Sequence, residues 1–403
     1  MTTVIQQIDK LDLPSDENNE LPVDVRISRF CGASGVEEFQ IIIHPNEYAD
    51  FSTQLSWIEE AYAKAVKSIG LDMDTAIWRR FMCSDLINQS DLLRLRPFSN
   101  PDDSDEPCAI SWVGQDPATP AKVGMWAHHI FDPSAPLKKS KSGRTLTLDR
   151  GELKHLWSIG LTDDSVESSY DQTHGIFNRY QKILDRNEIT LFDNVIRTWF
   201  FVQNVDSNYA GLVTARNEVF DKQNLTADTH YIASTGIEGN YDNAATKATL
   251  DSYAIGGVKA EQIQQLYALD YLSPTHIYGV AFERATAVHY QDRSQIFLSG
   301  TASIDDEGEV VHPGNVLKQL DRTIINIEAL LAESNATIND MQVFIVYLRD
   351  ANDSGVISEA ISRRFPKIPF EIVTAPVCRP GWLIEIEGLA IAHRKFDASL
   401  PAY

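Results

Sequence analysis

The stretch RTIINIEALLAESNATINDMQVFIVYLRDAN, residues 322–352, contains two periodicities in succession. Its first half sets Ile325, Ile327, Leu330 and Leu331 at helical spacing, and its second half, VFIVYLRD, is a run of branched and aromatic residues that reads as a strand. A short polar turn joins them. The same design occurs twice upstream, in SWIEEAYAKAVKSIGLDMDTAIWRRFMCSDL (56–86) and GIFNRYQKILDRNEITLFDNVIRTWFFVQNV (175–205). With Met73, Leu191 and Ile338 in register the copies recur at domain-sized intervals, which marks a repeated structural unit.

The flanks extend the repeat. Apolar strands precede each helix, in EFQIIIHP (38–45), LKHLWSIGLT (153–162) and SQIFLSGTAS (294–303). Others follow the main strand, in AKVGMWAHHI (121–130), TKATLDSYAI (246–255) and WLIEIEGLAIA (382–392). Each unit is then a mixed sheet with helices on one face, an α+β arrangement whose other face needs cover. Three units closing about a threefold-like axis cover one another, as the subunits of a cyclic trimer do. The expected organisation is a flexible acidic N-terminus (1–22) followed by units at 23–150, 151–276 and 277–395, fused into an intramolecular pseudo-trimer. Its trimer surface is used internally, so a monomer is expected.

The chain has 403 residues, 43% of them apolar, and no apolar run of the ~18 to 20 residues that a membrane span requires. The opening MTTVIQQIDKLDLPSDENNELP has neither a basic segment nor an apolar core, so no export signal is indicated and a cytoplasmic location is expected. Cys31, Cys83, Cys108 and Cys378 show no CxxC spacing and read as reduced thiols. A formal charge of −22 argues against nucleic-acid binding, which needs clustered Lys and Arg. The basic run LKKSKSGR (137–144) reads as a solvated loop, and adjacent His128 and His129 point to opposite strand faces, so no metal site is expected.

Near the C-terminus, VCRPGWLIEIEGLAIAH (377–393) places Glu385 and Glu387 in an otherwise apolar strand. Two residues apart, they share one face. Either that face is solvated at a sheet edge, or the carboxyls are buried for a reason.

The third unit, from about Ile277 to His393, resembles the YjgF/RidA family in LSGTASIDDEGEVVHPG, RTIINIEALL, VFIVYLRD and LIEIEGLAIA. The resemblance implies a chorismate-mutase-like fold with small-molecule pockets between neighbouring units, and a pocket-facing first glutamate in the closing strand, here Glu385. RidA imine deaminases carry a pocket arginine soon after the proline opening the preceding strand, where this chain has Phe370 and Glu371 in IPFEIVTAP. The chain also resembles the chorismatase family in RTWFFVQNVDSNYAGLVTARNEVF (197–220), YIASTGIEG (231–239), VAFERA (280–285) and VCRPGWLIEIEG (377–388). That resemblance implies cofactor-free hydrolysis of chorismate, a dianion, to pyruvate and a hydroxybenzoate or dihydroxycyclohexadienoate.

Cleaving an enolpyruvyl ether begins with protonation of its terminal methylene carbon, so the site needs an acid that keeps its proton near neutral pH. Burial and a second carboxylate on the same face both raise a carboxyl pKa, which makes Glu385 the expected catalytic acid. Glu387 is either a structural ion-pair partner or outside the cleft. Forked guanidinium groups suit the substrate carboxylates, singling out Arg216, Arg284 and Arg379, with the Tyr209 hydroxyl as a further donor. Arg197 is either part of the site or a sheet-face salt bridge. Cys378 has no His near it in sequence and is expected, with Ala285, to shape the wall rather than act as a nucleophile. The corresponding strands of the first two units offer Lys122 and Thr249, so a single working cleft is expected, between the second and third units. The alternatives are a RidA-like imine or enamine hydrolase and a non-catalytic small-molecule-binding protein.

Overall fold

Each repeat folds as a hairpin, a helix, a middle strand, a second helix, a strand parallel to the middle one and a closing strand. A computed structural model describes residues 21–105 and 108–403, so the acidic segment up to Glu20 lies outside the described residues. The first unit runs through strands Val23–Cys31 and Glu37–Pro45, helix Phe51–Ser68, strand Ala76–Cys83, helix Leu86–Arg94, and strands Ala109–Gly114 and Val123–Phe131. The second uses Thr145–Arg150, Leu153–Leu161, helix Ser169–Arg186, Val195–Val202, helix Val205–Lys222, Ala233–Glu238 and Ala248–Gly256. The third uses Ala285–His289, Arg293–Ala302, helix Val316–Glu333, Met341–Leu348, helix Ser354–Arg364, Phe370–Thr374 and Ile384–His393.

In all three sheets the closing strand inserts between the second hairpin strand and the middle strand, antiparallel to both. The chain is thus an α+β protein of three RidA/YjgF-like, chorismate-mutase-like units fused into an intramolecular pseudo-trimer. The repetition reaches the helix caps. Asp50, Ser168 and Asn315 each accept a backbone N–H three residues on, at the start of equivalent helices. In the third of these helices Ile324, Ile327, Leu330 and Leu331 are buried, whereas Ile325, expected on the apolar stripe, is exposed. Only the first position of the stripe moves, from Ile325 to Ile324.

The sheet faces turned away from the helices meet at the centre. Trp78 lies 5.3 Å from Trp199, ring to ring, across the first and second units, and Tyr253 lies 5.3 Å from Phe297 across the second and third. Each pair of units also shares a buried arginine–carboxylate pair. These are Arg80–Asp251 at 3.0 Å, Arg197–Glu387 at 2.7 Å and Arg293–Glu38 at 3.0 Å. Such pairs add little net stability over apolar packing, but each strongly penalises a wrong docking that strands one charge.

The sheets divide the chain earlier than the expected boundaries at 150 and 276. Strands Lys138–Ser142 and Thr145–Arg150 pair into the second sheet, and Ile263–Leu266 extends the third. The basic run LKKSKSGR is therefore an edge hairpin rather than a loop. Lys139 and Lys141 donate to the carbonyls of Ala76 and Asp103 in the first unit. Lysines along such an edge also discourage pairing with another chain. The four cysteines are free thiols, and no helix among the described residues is long and apolar enough to cross a membrane.

Candidate active site

The closing strand Ile384–His393 lies inside its sheet, between Arg293–Ala302 and Met341–Leu348, so the solvated-edge reading of its glutamates fails. Both are buried. The pleat puts them on one face, but they serve different neighbours. Glu387 points to the pseudo-threefold axis, where it accepts from Arg197 at 2.7 Å, from Trp199 Nε1 at 2.9 Å and from the Thr235 hydroxyl. Glu387 and Arg197 thus form a structural pair joining the second and third units. Glu385 faces a cleft of about 350 Å³ between the same two units. Gly300 makes room for it, since a Cβ there would stand 1.9 Å from Glu385 Oε1.

Among the described residues no side chain hydrogen-bonds to Glu385. Burial, reinforced by the nearby Glu387 charge, pushes its carboxyl up to about 8, while Arg284 and Arg197 pull the other way. At neutral pH it holds its proton. Burial and then Glu385 push the Cys378 thiol up to about 12, so it is not a thiolate nucleophile. Tyr209 lines the same part of the cleft, and burial holds its phenol well above its ordinary value.

The second unit's helix Val205–Lys222 brings Tyr209 and Arg216 to the cleft, and strand Ala233–Glu238 adds Ser234, Thr235 and Gly236. From the third unit come Arg284, Ala302, Cys378, Arg379 and Trp382. Arg284 donates to the Ser273 carbonyl at 2.8 Å and lies 5.4 Å from the Phe282 ring centre, which holds its orientation. Arg379 stands over Trp382 at 5.1 Å and is half-buried.

Three expectations need correction. Ala285 does not line the cleft: strand alternation turns it into the core while Arg284 faces the cavity, and Ala302 takes the wall position. Strand pairing makes Gly124, not Lys122, the first-unit counterpart of Glu385; Glu385 faces Tyr347, Thr249 faces Phe201 and Gly124 faces Met82 across equivalent strands. The strand across from Glu385 is Ala233–Glu238 of the second unit, so the position to inspect for the deaminase arginine is not Glu371. It is Thr235, paired with Trp199 as Glu371 is with Ile345.

Thr235, Gly300, Ala302 and Trp382 were not singled out from sequence. Thr235 donates to Glu387 and accepts the Gly300 N–H at 2.9 Å, linking the axis to the strand beside the acid. A glycine inside an apolar strand, as in LSGT, does signal a close approach, and Gly300 could have been found that way.

The family model described as Endoribonuclease L-PSP matches residues 283–392. A RutC family protein of Pyrococcus abyssi is 38% identical over 101 residues, 25% of this chain and 79% of that protein. The 3-aminoacrylate deaminase RutC of Acinetobacter baylyi is 26% identical over 97 residues, 24% of this chain and 77% of that protein. Through its third unit the chain belongs to the RutC family. A crystal structure of chorismatase matches over a greater length, covering 79% of this chain and 93% of that one at 16% identity and a TM-score of 0.58. At that identity the fold is what is shared.

Proposed function

We propose that the protein is a chorismatase-type hydrolase that releases pyruvate from the enolpyruvyl ether of chorismate. The observation that carries this reading is a carboxyl protonated at neutral pH, Glu385, in a cleft walled by arginines. Arg284 and Arg379 on one side and Arg216 on the other suit a dianion that the chain's charge of −22 otherwise repels.

Glu385 delivers its proton to the terminal methylene carbon, and the ether oxygen's lone pair makes the adjacent carbon an oxocarbenium ion. Water adds to that carbon and returns a proton to the Glu385 carboxylate. The resulting hemiketal collapses: the bond between its central carbon and the ether oxygen breaks, the hydroxyl gives up its proton to become the ketone of pyruvate, and the ether oxygen takes a proton and stays on the ring as a hydroxyl. Arg284 stabilises the carboxylate form of Glu385 left after transfer, as its effect on the Glu385 pKa implies.

A second reading, an imine or enamine hydrolase, draws on the RutC relatives. The strand facing Glu385 carries Ser234 and Thr235 rather than an arginine, which favours the first. Incubation with chorismate and a pyruvate-coupled assay tests the choice. Stoichiometric pyruvate without added metal or nucleotide is expected. Pyruvate no faster than the buffer rate at high enzyme concentration overturns the proposal.

A further inference from the structure

A pseudo-trimer has three inter-unit clefts, and the active cleft is one of them. In the cleft between the first and second units, Gly160 is the counterpart of Gly300, and the buried Tyr241 is packed against it: a Cβ on Gly160 would stand 2.6 Å from the Tyr241 hydroxyl. That cleft is filled. The cleft between the first and third units is open, with a volume of about 460 Å³.

Its wall has been rebuilt around the same plan. Arg26, opposite Ile42, takes the strand position of Arg284, whose carbonyl accepts from the Ser299 N–H. The position of Glu385 is Gly124, which carries no acid, and the position of Thr235 is Glu371, which does. A Cβ on Gly124 would lie 3.0 Å from Glu371 Oε1. The carboxylate thus arrives at the same corner of the cleft from the opposite wall. Seven and fourteen residues beyond the middle strand, where the active cleft has Tyr209 and Arg216, this one has Gly355 and Ser362, and the space stays open.

Glu371 is 1% exposed. Its Oε1 binds His44 Nδ1 at 2.8 Å, and its Oε2 has no hydrogen-bond partner among the described residues. A buried carboxylate oxygen without a donor is costly, and an incoming N–H is what it lacks. Arg26 lies 3.9 Å from the centre of the Phe370 ring, a stacked posture that leaves the guanidinium edge for a planar anion. Asp24 and Glu359 also line the cleft and disfavour a dianion such as the substrate proposed above.

We propose that this cleft is a second, non-catalytic ligand site for a small zwitterion of the α-amino-acid type, its ammonium on Glu371 Oε2 and its carboxylate on Arg26. Glu371 is tied to His44 at 2.8 Å, and the position equivalent to Glu385 is Gly124, so the site binds and does not hydrolyse.

Saturation-transfer NMR on the full chain with a mixture of the twenty proteinogenic amino acids, each at about 1 mM, followed by calorimetric titration of the strongest, tests it. At least one amino acid is expected to bind. Ser358→Trp, a half-buried position on the cleft helix, should fill the cleft and abolish that binding. Glu371→Gln should weaken it about tenfold or more, and Glu385→Gln should leave it intact. The amide and N-acetyl derivatives of the bound amino acid should each bind more weakly. No binding to the parent protein, binding that survives Ser358→Trp in a protein with a parent-like melting curve, loss of binding in Glu385→Gln, or a derivative as tight as the amino acid would each overturn the proposal.

Discussion

Glu385 and Glu371 sit at the same corner of two related clefts, reached from opposite walls, and differ in what meets their oxygens. No side chain among the described residues hydrogen-bonds to Glu385, so burial dominates and its carboxyl is pushed up to about 8. Glu371 is just as deep but bonded to His44 at 2.8 Å. Burial opposes the His44 cation, yet the Glu371 charge and hydrogen bond outweigh it and raise the histidine's pKa. Depth alone therefore does not make a catalytic acid. Whether a cation reaches the carboxylate decides between an acid and half of an ion pair.

The same contrast separates Glu385 from Glu387, and the largest effect should come there. Arg197→Met leaves Glu387 with Arg80, 3.8 Å away, as its nearest cation and should cost about 3 kcal/mol in urea unfolding, the lower end of the penalty for breaking a buried pair. A loss near zero would mean that Glu387 is not held as described. Next, Glu385→Gln should fold like the parent and slow pyruvate release about 100-fold or more, the scale of a general acid. Parent-like turnover would erase the distinction between the two glutamates. Arg284→Gln should raise KM about tenfold or more through loss of a charge-assisted hydrogen bond, and should also lower kcat because the Glu385 carboxylate loses its nearby cation. If it lowered kcat alone, Arg284 would have been misplaced as a carboxylate binder.

The remaining effects concern pH, and both clefts should weaken on the alkaline side. A glutamate in the unfolded chain loses its proton near about 4.3, whereas folded Glu385 keeps it until about 8. Between those values the native state holds the extra proton, so this group's contribution falls as pH rises and is gone above about 8. Glu385→Gln should melt higher than the parent at pH 9, and the parent's kcat/KM should decline through about pH 8. His44, whose pKa is also raised, stabilises below its ordinary value and loses that contribution as pH climbs past its folded value. His44→Asn should therefore differ from the parent in melting temperature at pH 6 and converge with it at high pH. A gap that widened on the alkaline side would contradict the His44–Glu371 pairing.

Much of the site was legible because it is local in the chain. Glu385, Arg379 and Cys378 lie within one short segment, and Tyr209 and Arg216 are two helical turns apart on one helix. Ala285 was misread because a one-residue step along a strand reverses the face, and Lys122 because a two-residue slip to Gly124 leaves the strand's alternation unchanged. The basic run 137–144 was misread because short alternating Lys/Ser segments suit an edge strand as well as a loop.

By itself the sequence determined the repeat, the order of elements within each unit and the two candidate acids, because apolar periodicity and chain order are written locally. Only the tertiary structure decided which unit faces which. That choice makes Glu387 a partner of Arg197, sets Thr235 rather than Glu371 across from Glu385, and leaves an open cleft between the first and third units. Each of these pairings joins residues from different units, far apart in the chain. Their chemistry rests on desolvation and charge proximity, which exist only once the three sheets have closed on one another.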